Sequence, residues 1–460
     1  MVLIIFTPVA FGSIELWAFS SMELGILLIL FLWTVQSFFA QTPNSELITP
    51  NSRLRPLHSA MVVGFLGVFL LLILFQLVPL PSGFLKIISP KTVELRSALG
   101  LEFFTSGFPL SFVSFNTKIE FFKWLTLSGL FIFLLRWKPL SQNDRTRSQL
   151  LLVILLVGLA ESLYGMFEFF TGHRHVLHLD GSPFISSVTG TFVNRNHLAG
   201  YLLMVIPLSI GFLFSREALH RGRSLGWRHQ LSSLDGKTLL IGFSVIVMIL
   251  GLIFTASRMG IISLLLSFTL ISFLFRTPQK EYRFSKTSLL ILGLAILWAA
   301  WIGLDAVVGR FFVSTEDFKM RWDIWVNTFQ MVKDFPLLGS GLGTFPQVFP
   351  MYRSFYLRGV VSHAENDFLQ LVSEVGILGM GLLTILFLFL FFKVFSGMRT
   401  LSHREPGRYI GIGSLVGILA LMFHSLVERN IQVPANAFLY TILWAFVLRI
   451  SSGGVKKPSD

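Results

Sequence analysis

The sequence predicts an all-α integral membrane protein, and three observations carry that reading. Only 13% of its residues are charged, against 53% hydrophobic, and the mean hydropathy is +0.72. Soluble domains carry about 25% charged residues. Apolar runs near the ~20 residues that a bilayer core requires recur along the whole chain. Lys and Arg collect in alternate segments between those runs, which is the positive-inside pattern. The 49 phenylalanines suit lipid-facing and packing surfaces. A net charge of +13 could suggest nucleic acid, but no basic stripe interleaved with aromatics exists, so nucleic-acid binding is excluded. With no cysteine, disulfide and thiolate chemistry are excluded as well.

The first apolar run, Val2 to Gly12, is short for a span and lacks the basic start and cleavage site of a signal peptide. A full run follows from Leu16 to Phe39, then a polar stretch with Arg53 and Arg55. The third helix is expected from Ala60 to Leu80, stopped by Pro79 and Pro81, and the loop from Ser82 to Lys118 follows. Helices are predicted next over Ile119 to Leu135, Leu150 to Phe170 and Leu198 to Phe214, the second of these containing Glu161 and Glu168. Thr238 to Thr255 and Ile261 to Phe275 are joined by a turn, Ala256 to Gly260, and Thr287 to Leu304 closes this group. The last three spans are Phe368 to Phe392, Tyr409 to Leu426 and Ala435 to Leu448.

The segments after Phe39, Leu135, Phe214, Phe275 and Phe392, and the C-terminal tail, all carry an excess of Lys and Arg. Segment 305–366 instead balances six basic residues (310, 319, 321, 333, 353, 358) with six acidic ones (305, 316, 317, 323, 334, 365) and therefore falls on the opposite side. The alternation closes on about twelve spans, the first of them short, with both termini cytoplasmic. The expected organisation is one polytopic membrane domain over 1–460, in which 305–366 is a long, partly helical loop on the outer side.

Chemistry is expected in that loop and at the helix ends around it. Arg195, Arg258, Arg321 and Arg358 lie on or near the outward face. Arg258 is the sharpest, because it sits in a short turn between two apolar helices. A cation at that depth is costly and seeks a partner. Its planar fork suits phosphate oxygens, although snorkelling to headgroups explains it equally simply. Arg321 opens a stretch to Lys333 with Trp322, Trp325, Val326 and Phe329 at helical spacing, as in a helix lying along a membrane surface. His363 precedes Asn366 and Asp367, either of which can cap the helix that follows. A histidine held there can act as a general base near neutral pH. Gly339, Gly341 and Gly343 follow no strand, so they read as a close backbone turn rather than a dinucleotide loop. His173, His175 and His178 have loose ligand spacing without supporting carboxylates, and no metal site is assigned.

Several short motifs, in one order along nearly the whole chain, together resemble the O-antigen ligase and polymerase superfamily of bacterial membrane proteins. They are Gln76–Pro81, Gly190–Leu202 (GTFVNRNHLAGYL), Thr255–Gly260 (TASRMG), Arg321-x-x-x-Trp325 and Pro336–Phe345. The set continues with His363–Leu371 (HAENDFLQL), Glu374-x-Gly376, His424–Glu428 and Pro434–Asn436. The resemblance implies a GT-C-like glycosyltransferase of the bacterial inner membrane with its active site facing the periplasm, which makes 305–366 a periplasmic loop. It implies a glycan donor on undecaprenyl pyrophosphate, a lipid A-core or other glycan acceptor, and no metal or other cofactor. The family's essential arginines match Arg258 and Arg321, and its essential histidine matches His363. The matched motifs also put Asn194, Arg195, His197, Glu365, Asn366, Asp367 and His424 forward as substrate-binding residues, joined by Arg358 from the outward arginines. At Glu365 and Glu428 the chain departs from the residues common in relatives while keeping a polar group.

Ligases and polymerases share these motifs. A solute transporter would place charged or broken-helix sites at mid-membrane. Glu161 and Glu168 lie in a predicted span, but most candidate polar residues sit at the outer face, which favours the enzyme. A scaffold in a polysaccharide complex is the remaining alternative, and it would tolerate loss of His363.

Overall fold

The computed structural model describes residues 1–39, 56–137, 139–220, 235–275, 315–402 and 405–453, apart from positions 99, 101–106, 143, 173, 174, 178, 181–186 and 358 within them. The expected span at 287–304, the Arg358 site and most of the 173–178 histidine group lie outside the described residues.

The chain opens with α1 (Val2–Val9), a 3-10 turn (Phe11–Ser13) and α2 (Leu16–Phe39). It continues through α3 (Pro56–Leu77), the short helices α4 (Ser82–Ile88) and α5 (Pro90–Ala98), α6 (Ser114–Arg136) and α7 (Pro139–Gln142). Next come α8 (Asp144–Thr171), α9 (Arg195–His220), α10 (Gly236–Phe254) and α11 (Arg258–Leu274). The last group is α12 (Thr315–Asp334), the single turn α13 (Phe345–Val348), α14 (Asp367–Thr400), α15 (Pro406–His424) and α16 (Pro434–Gly453). Eight of these are long and apolar enough to cross a membrane, and α11 is a shorter apolar helix, among the described residues. The protein is thus a multi-pass, nearly all-α membrane protein.

Several helices run a few residues past their expected ends, α14 to Thr400 among them, and two boundaries move for local reasons. The third helix stops at Leu77 instead of Leu80, because Pro79–Pro81 pairs antiparallel with Gly107–Pro109 as a two-stranded ribbon. Arg258 is not a turn residue but the first residue of α11. Ser257 caps that helix, its Oγ accepting from the Gly260 amide at 3.3 Å.

Helix α9 is the centre of the bundle: 94% of its most apolar stretch is buried, against 22% for α2 at the periphery. It packs chiefly on α15, where glycine lets the backbones approach. A Cβ on Gly417 would stand 2.9 Å from the Met204 carbonyl. In the α8 span Glu161 is buried and accepts from the amide and hydroxyl of Thr191 at 2.8 and 2.7 Å, so it anchors the loop before α9.

The surface helix expected at 321–333 is α12, somewhat longer. Phe318, Trp322, Val326 and Phe329 form its exposed apolar stripe, while Ile324 and Met331 pack inward with Phe335, Phe345 and Phe349. Trp325 leaves the outer stripe: its indole N–H donates to the Ala364 carbonyl at 3.0 Å.

Helix α14 is broken at Gly376, whose φ of 66° and ψ of −174° only glycine adopts readily. The break frees backbone groups, and the 336–343 loop takes them. Ile377 N–H donates to Pro336 O at 2.8 Å, and Ser340 and Gly341 N–H donate to Ser373 O and Glu374 O at 3.1 and 3.0 Å. Gln76 completes the splint, donating to Leu338 O at 2.7 Å and Glu374 O at 2.9 Å and accepting from Leu342 N–H at 3.0 Å. The glycines at 339–343 are therefore a close backbone turn, as their sequence context predicts.

A Cβ at position 376 would collide with the Leu337 backbone. Gly376→Ala is expected to cost about 1–3 kcal/mol, read as a lower unfolding midpoint in detergent. An unchanged midpoint would mean the break is not held by that contact.

Candidate functional site

The starts of α9, α11, α14 and α16 and the end of α15 converge, and the loops leaving them interlock. Asn366 caps α14, its Oδ1 accepting from the Phe368 and Leu369 amides at 3.1 and 3.0 Å. Asp367 is thereby free for another task. Its Oδ2 accepts from the amides of Asn430 and Ile431 at 2.8 and 2.7 Å, pinning the loop between α15 and α16. In return the Asp367 amide donates to Ser425 O at 3.0 Å. His424 ties the same loop to α11. Its Nδ1 meets the Asn430 side-chain amide at 3.1 Å and its Nε2 meets Ser257 Oγ at 3.3 Å, so both ring nitrogens are engaged and the residue is fully buried. Asn436 bridges onward to the His197 carbonyl at 3.2 Å.

His363 sits on the segment that enters α14, and its neighbour is clamped on both sides. The Ala364 amide donates to Gln370 Oε1 at 3.0 Å while its carbonyl takes the Trp325 indole. Glu365 follows in the left-handed region, at φ 50°. This fixes the imidazole against Arg429, whose Nη1 contacts His363 Nε2. Burial, and then the positive charge of Arg429, push the His363 imidazole down to about 3, so the ring is neutral. Arg429 itself is lowered by burial, with Glu365, Asp367 and Glu428 acting in the opposite sense.

Arg321 reaches in from α12. It donates to Val427 O at 2.9 Å and forms an ion pair with the buried carboxylate of Glu428. Burial raises Glu428 to about 7 against the pull of Arg321, so the carboxylate depends on that arginine. Arg195 and Arg258, half-buried and each with interactions of its own, open α9 and α11. Asn194 Oδ1 accepts from the Asn196 amide at 2.8 Å at the start of α9, and His197 is buried one turn on.

A cavity of about 540 Å³ opens beside this cluster. Its polar end is lined by His363, Asp367, Gln370, Gln432, Lys123 and Glu120. Its remaining wall is apolar, from Leu66 and Phe131 to Leu383, Phe387, Leu390 and Trp444. Lys123 is buried and paired with Glu120 at 2.6 Å. Glu374, also lining the cavity, holds the glycine turn by accepting from Gly343 N–H at 2.9 Å and Phe345 N–H at 3.0 Å.

The structure thus gathers Arg321, His363, Glu365, Asp367, His424 and His197 around one loop, with Asn366 as the cap beside them. Sequence reasoning missed Arg429, Gln370 and the Lys123–Glu120 pair. The signals were present: Glu428-Arg429-Asn430 is a polar run between two apolar helices, and Lys118, Glu120 and Lys123 interrupt the start of α6.

The fold and this enclosed cluster define a multi-pass membrane protein with a cation–imidazole–carboxylate site at the mouth of an apolar cavity. Residues 243–384 match the O-antigen ligase family model, a segment containing Arg258, Arg321 and His363. The chain is 25% identical over 305 residues to the exopolysaccharide production protein ExoQ of Rhizobium meliloti. That alignment covers 64% of this chain, and the chain spans 63% of the length of that relative. The two matches support the likeness to the O-antigen ligase and polymerase superfamily that the motifs carry.

Removing one member of a buried ion pair strands the other. Arg321→Ala is expected to lower stability by up to about 3 kcal/mol, the low end for buried pairs, because the Arg321 side chain keeps 24% exposure. Adding Glu428→Gln should recover most of it in a detergent unfolding series. A double variant no more stable than the single one would show that Glu428 is not what Arg321 compensates.

Proposed function

We propose that the protein is a glycosyltransferase of the bacterial inner membrane that moves a glycan from undecaprenyl pyrophosphate to an acceptor hydroxyl on the periplasmic side. The observation that carries this reading is the junction of two environments: a neutral imidazole among arginines at the polar end of a cavity whose other walls are apolar. The prenyl chain enters between α6, α14 and α16, with its pyrophosphate at the cluster. The acceptor oxygen attacks the anomeric carbon while the bond from that carbon to the pyrophosphate oxygen breaks. His363 takes the hydroxyl proton as general base. Arg258 and Arg321, with Arg195 and Arg358, receive the charge that develops on the leaving pyrophosphate, which needs no metal in this scheme. The 305–366 segment forms the periplasmic cover of the site, and the chain makes about twelve spans in a GT-C-like architecture.

Transfer to lipid A-core, as a ligase, is the first reading of the acceptor. The likeness to a protein named for exopolysaccharide production favours a second, in which repeat units are joined on the lipid carrier.

The test is transfer in nanodiscs from an undecaprenyl-pyrophosphate glycan, with EDTA present. His363→Ala is expected to lower kcat by ~10²–10⁴-fold. Arg258→Ala should lower it by ~10²–10³-fold. Product on lipid A-core identifies a ligase, and product on a second lipid-linked unit a polymerase. A folded wild type that transfers to neither acceptor would overturn the reading in favour of transport or scaffolding.

A further inference from the structure

The two arginines of the cluster are held in different ways. Arg321 has an acid, Glu428, and a carbonyl. Arg429 is half-buried, and its side chain meets a neutral ring, at His363 Nε2. Glu365, Asp367 and Glu428 act on Arg429 from a distance, but among the described residues none forms an ion pair with it. Asp367 gives its Oδ2 to the Asn430 and Ile431 amides, while its Oδ1 is buried without a hydrogen bond among the described residues.

A guanidinium only donates, so His363 Nε2 is the acceptor in this contact and the ring proton sits on Nδ1. Nδ1 is buried and has no hydrogen-bond partner. The one lone pair that could take a proton from a hydroxyl is therefore covered. His363 is faced by Arg429 and Gln432 from the α15–α16 loop, Gln370 and Asp367 from α14, Lys123 from α6 and His197 from α9, with Glu365 beside it in the chain. Of the cations, Lys123 has Glu120 as partner, whereas Arg429 leans on the imidazole.

A guanidinium pairs with phosphate through two parallel bonds to charged oxygens, whereas an imidazole offers it one neutral nitrogen. A diphosphate at the polar end of the cavity competes for Arg429 against an uncharged nitrogen. The backbone just after Arg429 is pinned by Asp367, so the side chain can turn while the loop stays in place.

We propose that Arg429 is a donor-responsive cap on His363: it covers Nε2 in the donor-free protein and turns to the pyrophosphate when the lipid-linked donor binds, freeing Nε2 for the acceptor's proton. This rests on the donor chemistry proposed above. In the step that follows, the proton passes from the acceptor oxygen to Nε2. The electron pair of the broken carbon–oxygen bond stays on the pyrophosphate, where Arg429 now lies. Donor binding thus precedes base activation, and the site holds no free base while it has no glycan to transfer.

The test reads His363 directly, without turnover. The full chain in nanodiscs, labelled with ¹⁵N-histidine, is titrated by NMR with and without farnesyl pyrophosphate, which carries no glycan. The His363 resonance is assigned from His363→Gln, and binding is followed by calorimetry. In donor-free protein, Arg429→Gln should raise the His363 midpoint by about one pH unit or more, and Arg429→Lys, which keeps the charge, should leave it low. The bound diphosphate raises the midpoint in any case by its own charge, so the comparison decides. The rise on binding should be larger in wild type than in Arg429→Gln by about one pH unit. Equal rises, or a donor-free Arg429→Gln midpoint identical to wild type, overturn the cap while leaving the glycosyltransferase reading intact. No binding of farnesyl pyrophosphate overturns the cap, and the transfer assay then decides the glycosyltransferase reading. If the cap behaves as expected but His363→Ala still transfers glycan, it is the assignment of the base that fails.

Discussion

The carboxylate of Asp367 fixes the relation between two loops that are far apart in sequence, and the site exists because of that relation. One oxygen receives two successive backbone amides, at Asn430 and Ile431, in a geometry that a charged acceptor rewards. The residue just before those amides is Arg429, and the residues just before Asp367 lead back to His363. The contact between imidazole and guanidinium therefore follows from a backbone anchor rather than from the mutual attraction of the two side chains. Asn366 caps α14 itself, which leaves the Asp367 carboxylate to the distant loop.

A second set of side chains holds the other wall of the cavity. Gln76, Glu374 and Gln370 bond almost entirely to backbone groups, and they fix the turn from Gly339 to Phe345 against the upper part of α14. Gln370 then reaches the Ala364 amide and so joins this wall to the histidine segment. Polar side chains buried in a membrane protein are costly unless satisfied, and here each one is spent on fixing chain that is not helical. The arginines, the histidine and the apolar cavity are thus held by a frame of amides and carboxylates.

Much of the fold was legible because its signals are local. Apolar length and alternating charge locate the helices, and Asn366 and Ser257 are recognisable caps. Helix α3 ends before its prolines, at Leu77, because Pro79–Pro81 pairs as a ribbon with a segment that local pattern does not reveal. Trp325 fits an apolar surface stripe by spacing, yet its indole nitrogen turns it inward to Ala364. The same limit applies to the site. His363, Arg321 and His424 are polar residues at helix ends and stand out. Arg429 becomes meaningful only when a loop between two other helices is folded over His363, and no local pattern encodes that distance. Glu374 and Gln76, 298 residues apart, meet for the same reason.

The break in α14 is splinted on both sides by the 336–343 loop, so it redirects the helix without acting as a hinge. The part from Ile377 to Thr400 lies in an apolar span, and its tilt responds to the thickness of the surrounding hydrocarbon. A splinted joint passes that tilt on to the turn at Gly343 and to Glu374, which border the cavity's polar end. A change in that tilt would therefore reach the lining of the cavity without being absorbed at a flexible joint.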